Sequence, residues 1–104
     1  MNGPYRNKKT TDAAKGQQCT LDIPGVCQGG TDTTVPCHSP LCEDRNGTKA
    51  PDFCMADGCA ACHDYLDRRT KLNGEHISHE DQRFYIHRGI MRTLANRFER
   101  GILK

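Results

Sequence analysis

Clustered cysteines are the residues of this chain whose type and spacing point most directly to chemistry. The 104-residue sequence contains seven of them, and Cys59 and Cys62 form a C-x-x-C pair. Such a pair supplies two of the four thiolates of a tetrahedral zinc site and leaves two ligands to be found elsewhere. Cys19 and Cys27 bracket an Ile-Pro-Gly-Val turn. They are the preferred second pair, because they would tie the start of the chain to its middle.

Other uses of these cysteines stay open. Cys37, Cys42 and Cys54 compete for the second pair, and His38 can replace one sulfur. Disulfides are disfavoured, because the N-terminal residues lack the apolar segment of a signal peptide and a cytoplasmic chain keeps its thiols reduced. The string C-A-A-C-H, ending at His63, also matches a c-type haem attachment motif, but haem attachment requires export.

The composition makes a metal-stabilised fold attractive. Only 35% of the residues are hydrophobic, there is no Trp, and the mean hydropathy is −0.80. Structural zinc contributes about 10–16 kcal/mol of apparent binding free energy in small peptides, which is comparable to the stability of a whole domain. We therefore expect zinc, rather than a large core, to hold this fold. No run of about 18 apolar residues exists, so no membrane span is expected.

The net charge of +2 conceals a pattern along the chain. Residues 1–16 carry four Lys/Arg against one acidic residue, and residues 67–104 carry nine against five. Residues 17–66, by contrast, carry two basic and seven acidic residues. An acidic centre between basic arms suits a cation site facing a polyanion, although ordinary solvated surface has the same composition.

Local patterns predict short elements around the cysteines. Residues 1–16 lack periodicity and are predicted to be a flexible basic arm. Residues 31–38 contain β-formers and predict a strand that ends near His38. Loop signals follow over residues 39–51, with a return strand predicted over 51–55. Helix formers then extend from the C-x-x-C pair to Asn73 and Gly74.

The last helix has the clearest signals. Ser78 is a suitable N-cap with Asp81 three residues on, and Gly101 is a plausible stop. Apolar residues at three- and four-residue steps predict one buried stripe, within which His87 is interpreted as a core histidine. The residues of this stripe are Phe84, His87, Met91, Leu94 and Phe98.

These segments together resemble a known family. The order of cysteine pair, strand histidine and C-x-x-C-H resembles the zinc-bearing HNH endonucleases. More closely, QCTLDIPGVC, the lone His38, GTKAPD and CAACHDYLDRRT resemble the YbcO-type prophage proteins, a family described as nucleases. The similarity covers roughly residues 17–70, with a weaker echo in GIMRT (89–93).

The resemblance implies a role for each matching position. His38 corresponds to the histidine that activates water, while His63 and Asp67 correspond to ligands of a catalytic divalent ion. The middle position of the HNH motif is an asparagine in the family, and the matching residue here is Asp52. This carboxylate can orient His38 or bind the catalytic metal ion. Cys37 is a second departure, because many HNH enzymes place a metal ligand just before the catalytic histidine and a thiolate suits Mg²⁺ poorly.

Chemical requirements agree with these assignments. Phosphodiester hydrolysis needs an activated water, a cation and donors to the phosphate. His63 and Asp67 are four residues apart and share one face of a helix, and Arg68 and Arg69 can bind a phosphate through two hydrogen bonds. Each residue also has a plainer interpretation: His63 as a neighbour of the zinc site, Asp67 with Arg68 as a surface charge pair, and the arginines as a solvated patch.

The resemblance thus implies an α+β fold, a small zinc-stapled ββα-metal (HNH-like) domain over residues 17–104 with an additional C-terminal helix. The expected function is a metal-dependent endonuclease of phage or prophage origin that acts on DNA in the bacterial cytoplasm, through backbone contacts. Its expected cofactors are structural Zn²⁺ and a catalytic Mg²⁺ or other divalent ion, with Arg68 contacting the phosphate. The alternatives are a non-catalytic, zinc-stapled nucleic-acid-binding module and a protein-interaction adaptor.

Overall fold

The described part of the chain has two short strands and three helices in a mixed α+β fold. A computed structural model gives the structure of the chain and describes residues 5–41 and 50–104. The elements, in chain order, are α1 (Lys8–Asp12), β1 (Val35–His38), β2 (Met55–Gly58), α2 (Ala60–Leu66) and α3 (His79–Glu99). Cys42 and most of the predicted loop over 39–51 lie outside the described residues.

The strands β1 and β2 form an antiparallel pair with His38 opposite Met55 and Val35 opposite Gly58. The prediction of a strand ending near His38 is confirmed. The return strand was predicted too early, because the residues around Asp52 form a turn in which the Cys54 amide donates to the Pro51 carbonyl. All four residues of β2 are buried, so this strand is the centre of the fold.

Helix α2 starts directly after β2 and is shorter than the sequence predicts. Cys59 is its N-cap, and its sulfur accepts a hydrogen bond from the Cys62 amide. The helix ends at Leu66 because Arg68 takes a left-handed backbone conformation, with φ of +62°. The Arg69 amide then donates to the Asp64 carbonyl at 2.8 Å, as in a Schellman cap.

Helix α3 begins and ends as predicted but buries the opposite face. The Ser78 hydroxyl accepts from the Asp81 amide at 3.1 Å, and Gly101 follows the helix with φ of +73°. The predicted buried stripe is wrong, since Phe84, Met91 and Phe98 are 50–56% exposed. His87 is exposed as well, and the buried residues are Gln82, Ile86, Gly89, Thr93 and Arg97.

Close approach explains this reversal. A Cβ added at Gly89 would lie 2.8 Å from the Ala56 Cβ and 2.9 Å from the Leu21 Cδ2, so only glycine allows α3 to pack this tightly on β2. The Thr93 hydroxyl accepts a hydrogen bond from the Asp57 amide at 2.9 Å. The helix therefore packs through small and hydrogen-bonded side chains, which a hydrophobicity pattern does not detect.

The segment predicted as a flexible arm differs in the structure. It contains α1, whose N-cap is Asn7, and Thr10 and Ala14 are buried. The Thr10 carbonyl accepts a hydrogen bond from the Arg97 Nε at 3.1 Å, which attaches α1 to α3. The lack of apolar periodicity led to the wrong prediction, because this segment is anchored by hydrogen bonds to its backbone carbonyls rather than by a stripe of apolar side chains.

Among the described residues, no helix combines the length and apolar character that crossing a membrane requires.

Candidate metal centre and active site

Four cysteine sulfurs form a cluster that can hold a metal ion. The Sγ atoms of Cys19, Cys27, Cys59 and Cys62 all lie within 4.8 Å of one another, and those of Cys59 and Cys27 are 4.0 Å apart. Tetrahedral zinc with Zn–S bonds of about 2.3 Å places its sulfurs about 3.8 Å apart, so small inward movements complete the geometry. The sequence-preferred pairs are the residues that the fold brings together.

The pKa shifts of the clustered thiols favour the binding of a cation. A hydrogen bond from the Cys62 thiol lowers the pKa of Cys19 to about 5, although burial opposes the shift. The same hydrogen bond and burial raise the pKa of Cys62, so the two sulfurs share one proton. Burial also raises the pKa of Cys27. Four neighbouring sulfurs cannot all be thiolates without a positive charge among them, and metal binding would release the remaining protons.

A separate pocket of about 510 Å³ gathers most of the other predicted site residues. His38 reaches it from the end of β1, while His63 and Asp67 reach it from α2. Its full lining consists of Pro36, His38, Pro40, His63, Asp67, Arg68, Arg69 and Gln82. Residues far apart in sequence thus line one opening, with bases, a carboxylate and two guanidinium groups.

Asp52 forms a hydrogen bond with the His38 ring. Its Oδ1 lies 2.8 Å from the His38 Nε2, and the histidine side chain keeps 14% of its surface exposed. A carboxylate only accepts hydrogen bonds, so Nε2 carries the hydrogen in this contact and Nδ1 is left as the acceptor in the neutral ring. This arrangement leaves one ring nitrogen able to take a proton from water.

The Asp52 carboxylate has further donors from the N-terminal segment. The Asn7 amide donates to its Oδ2 at 2.6 Å, and the Arg6 guanidinium lies 3.4 Å from its Oδ1. Burial raises the pKa of Asp52, but the hydrogen bonds from His38 and Asn7 and the neighbouring positive charges lower it below its usual value overall. Asp52 is therefore ionised near neutral pH. Sequence reasoning missed both Arg6 and Asn7, since no spacing relates them to residue 52.

On α2, His63 and Asp67 lie on one face as their spacing predicts. The His63 Nε2 is 3.1 Å from the Asp67 Oδ2, and the Arg69 Nη2 lies 3.1 Å from the same oxygen. Arg69 also pairs with Asp64 at 2.7 Å. The pair therefore offers one nitrogen and one carboxylate to a cation, with Arg69 as a counter-charge at the pocket edge.

Arg68 occupies a conformation that glycine would adopt more easily. A left-handed residue with a Cβ costs roughly 1 kcal/mol relative to glycine. Arg68 lines the pocket, and its Nη2 lies 3.0 Å from the Nδ1 of His79 at the start of α3. Gln82 also lines this pocket and donates from its Nε2 to the Leu66 carbonyl at 2.8 Å. No sequence signal pointed to Gln82 or His79.

Of the other cysteines in the described part of the chain, neither Cys37 nor Cys54 belongs to the four-sulfur cluster. Cys37 is fully buried, and burial raises the pKa of its thiol, so it is a neutral core residue rather than a ligand. Cys54 is half-buried and is not part of the four-sulfur cluster. The third competitor, Cys42, lies outside the described residues.

Comparison with known proteins finds relatives of this chain. A family model described as "Putative nuclease YbcO" matches residues 8–102. The "Putative nuclease YbcO" of Escherichia coli strain K12 and the "Putative nuclease ybcO" of Enterobacteria phage 82 are each 48% identical to the chain over 61 residues. The aligned part covers 56% of this chain and 62% of each relative, so the match spans less than two thirds of their length.

A solved structure shares the fold. It is described as "a putative bacteriophage protein from Escherichia coli str. K-12 substr. MG1655" and matches with a TM-score of 0.71 at 31% identity. The match covers 88% of this chain and 98% of that one. The arrangement of strands and helices is therefore common to both proteins.

Proposed function

Because this chain belongs to the YbcO family, whose members are described as nucleases, we propose that it is a metal-dependent endonuclease that hydrolyses phosphodiester bonds of DNA. The observation that carries the proposal is the single pocket lined by His38, His63, Asp67 and Arg68. The antiparallel strands followed by α2 resemble the ββα order of HNH enzymes, so we assign the chain to that type. The sequence similarity to a protein of Enterobacteria phage 82 supports a phage or prophage setting in the bacterial cytoplasm.

The four-cysteine cluster has a structural role in this proposal. Zinc suits a site made of four thiolates and offers no open position for substrate when all four are bound. The cluster joins the turn at Cys19 and Cys27 to the start of α2 at Cys59 and Cys62. Zinc bound there would fix the origin of the helix that carries His63 and Asp67.

Within the pocket, His38 acts as the general base. Its Nδ1 accepts the proton of the attacking water, while Asp52 orients the ring and stabilises the imidazolium that forms. Arg68 binds an oxygen of the phosphate and opposes the charge that grows there during attack. A divalent ion held by His63 and Asp67, Mg²⁺ or another divalent metal, would supply further charge neutralisation at the phosphate.

Replacing His38 with alanine is expected to abolish most plasmid nicking while leaving DNA affinity intact. General-base catalysis typically contributes about 10²–10⁴-fold in rate, so the loss should fall in that range. Nicking of supercoiled plasmid with added Mg²⁺, Mn²⁺ or Ni²⁺ measures it.

The matched control is His87→Ala, because His87 is exposed on α3 and lines a different surface. Its nicking should equal that of the parent protein. Undiminished cutting by His38→Ala would remove His38 as the base, and no cutting by the parent protein with any of these metals would contradict the enzyme proposal.

Arg68→Gly should separate function from stability. The left-handed φ of +62° suits glycine, so we expect unfolding free energy to be unchanged or to rise by up to about 1 kcal/mol. Nicking should nevertheless fall at least tenfold, because the donor to the phosphate is lost. Thermal melting and the nicking assay together check this; equal activity with Arg68→Gly would show that the guanidinium does not act on the phosphate.

The second candidate is a zinc-stapled module that binds nucleic acid without cutting it. The buried, neutral thiol of Cys37 favours this alternative, because the position before His38 then offers no ligand to a catalytic cation. A module of this kind would bind DNA with the salt dependence of backbone contacts and show no nicking with any metal.

A further inference from the structure

Two aromatic rings stand in contact at the surface next to the pocket's supporting carboxylate. The ring centroids of Tyr5 and Phe53 are 5.8 Å apart, with an interplanar angle of 43°. Tyr5 is 43% exposed and Phe53 is 49% exposed, so both rings present part of their surface to solvent. We call these two side chains the aromatic pair.

The aromatic pair is fixed in position relative to His38. Asp52 precedes Phe53, and its backbone amide donates to the Tyr5 carbonyl at 3.0 Å. The same Asp52 contacts the His38 Nε2 at 2.8 Å through its side chain. One residue therefore joins the aromatic pair to the proposed base.

The surroundings of the aromatic pair are positively charged. Arg6 lies between Tyr5 and Asn7 and donates to the Ala50 carbonyl at 2.7 Å, which anchors this segment beside Phe53. Helix α1 follows at once and carries Lys8 and Lys9, both exposed. The described residues 5–16 carry four basic side chains against one acidic. Arg6 pairs with Asp52 and Lys8 with Asp12, and the segment keeps a net positive charge that attracts a polyanion.

We propose that the aromatic pair is a stacking platform for unpaired bases, and that the preferred substrate is DNA with a single-stranded segment beside the cut. The proposal rests on the nuclease function above and names its substrate class. Every base has a π-face, so exposed rings in a basic surface bind single strands with little sequence preference. In a duplex those faces are already stacked on neighbouring base pairs and are not available to Phe53 or Tyr5.

Fluorescence anisotropy tests this with labelled oligothymidylate and a labelled hairpin duplex of equal phosphate number, at one fixed salt concentration and without added divalent cation. The full chain should bind the single strand more tightly than the duplex. Phe53→Ala should weaken single-strand binding at least about fivefold, the lower end of the loss that one stacked base produces, and leave duplex binding unchanged. Phe53→Trp, which keeps a ring, should retain the parent affinity.

The matched control is Phe84→Ala, which removes a ring that is 56% exposed on α3. It should change neither affinity. Equal effects of Phe53→Ala and Phe84→Ala, or equal weakening of single-strand and duplex binding by Phe53→Ala, would overturn the stacking platform. The nicking assay with His38→Ala reports on catalysis separately, so loss of the platform and loss of the nuclease function give different results.

Discussion

Cys59→Ser is expected to unfold the domain at room temperature. Cys59 contributes one of four sulfurs that lie within 4.8 Å of one another, and its own sulfur also caps α2 by accepting from the Cys62 amide. Structural zinc is worth roughly 10–16 kcal/mol, and a domain of this size has a total stability of only about 5–15 kcal/mol. Loss of one thiolate therefore removes most of the free energy that opposes unfolding.

Circular dichroism and metal analysis measure this outcome. The parent chain should contain one zinc per molecule, and Cys59→Ser should show a largely unfolded spectrum with little bound metal. A strong chelator should unfold the parent chain to the same state. Cys54→Ser is the matched control, because Cys54 is outside the cluster, and it should stay folded and keep its zinc. A folded, metal-free Cys59→Ser protein would show that the core alone holds this fold.

Arg97→Ala should cost about 3–5 kcal/mol of unfolding free energy. Arg97 is fully buried and binds the Asp57 carboxylate through both terminal nitrogens, at 2.5 and 2.8 Å. Its removal leaves Asp57, which is 1% exposed, as an unpaired charge inside the protein. It also removes the donor to the Thr10 carbonyl, so α1 should be held less firmly on α3, by the remaining hydrogen bond from Arg100 to the Ala13 carbonyl.

Urea unfolding at saturating zinc measures this loss, and Arg83→Ala, an exposed change on the same helix, should stay within about 0.5 kcal/mol of the parent. The double variant Arg97→Met with Asp57→Asn leaves no charge unpaired. It should therefore lose less stability than the sum of the two single changes. An additive double variant would show that the two side chains do not act as a pair.

The buried ion pair of Arg97 and Asp57 is one feature that the sequence could not predict. The four cysteines of the cluster could be selected from residue type and spacing, and the capping residues Ser78 and Gly101 define α3 because their physics is local. The buried face of α3 does not follow, because Gly89, Thr93 and Arg97 pack by close approach and hydrogen bonding. An arginine is normally assigned to the surface, and only its carboxylate partner, forty residues away, reverses that assignment.

The candidate site, too, could be predicted from the sequence only in part. His63 and Asp67 could be paired from helical spacing alone, and His38 joined them through the family resemblance. Their convergence on one pocket depends on the register of β1 against β2, which no local pattern fixes. Arg6 and Asn7 were missed as supports of Asp52 because their contacts span 46 and 45 residues, respectively, and are made partly by backbone.

One practical consequence comes from the contacts of Tyr5, Arg6 and Asn7 with Ala50 and Asp52. A shortened protein that starts at residue 17 would keep every cysteine of the cluster and every residue lining the pocket. It would nevertheless lose the amide and guanidinium that brace the Asp52 carboxylate. The smallest fragment worth expressing for kinetic work therefore begins ahead of Tyr5.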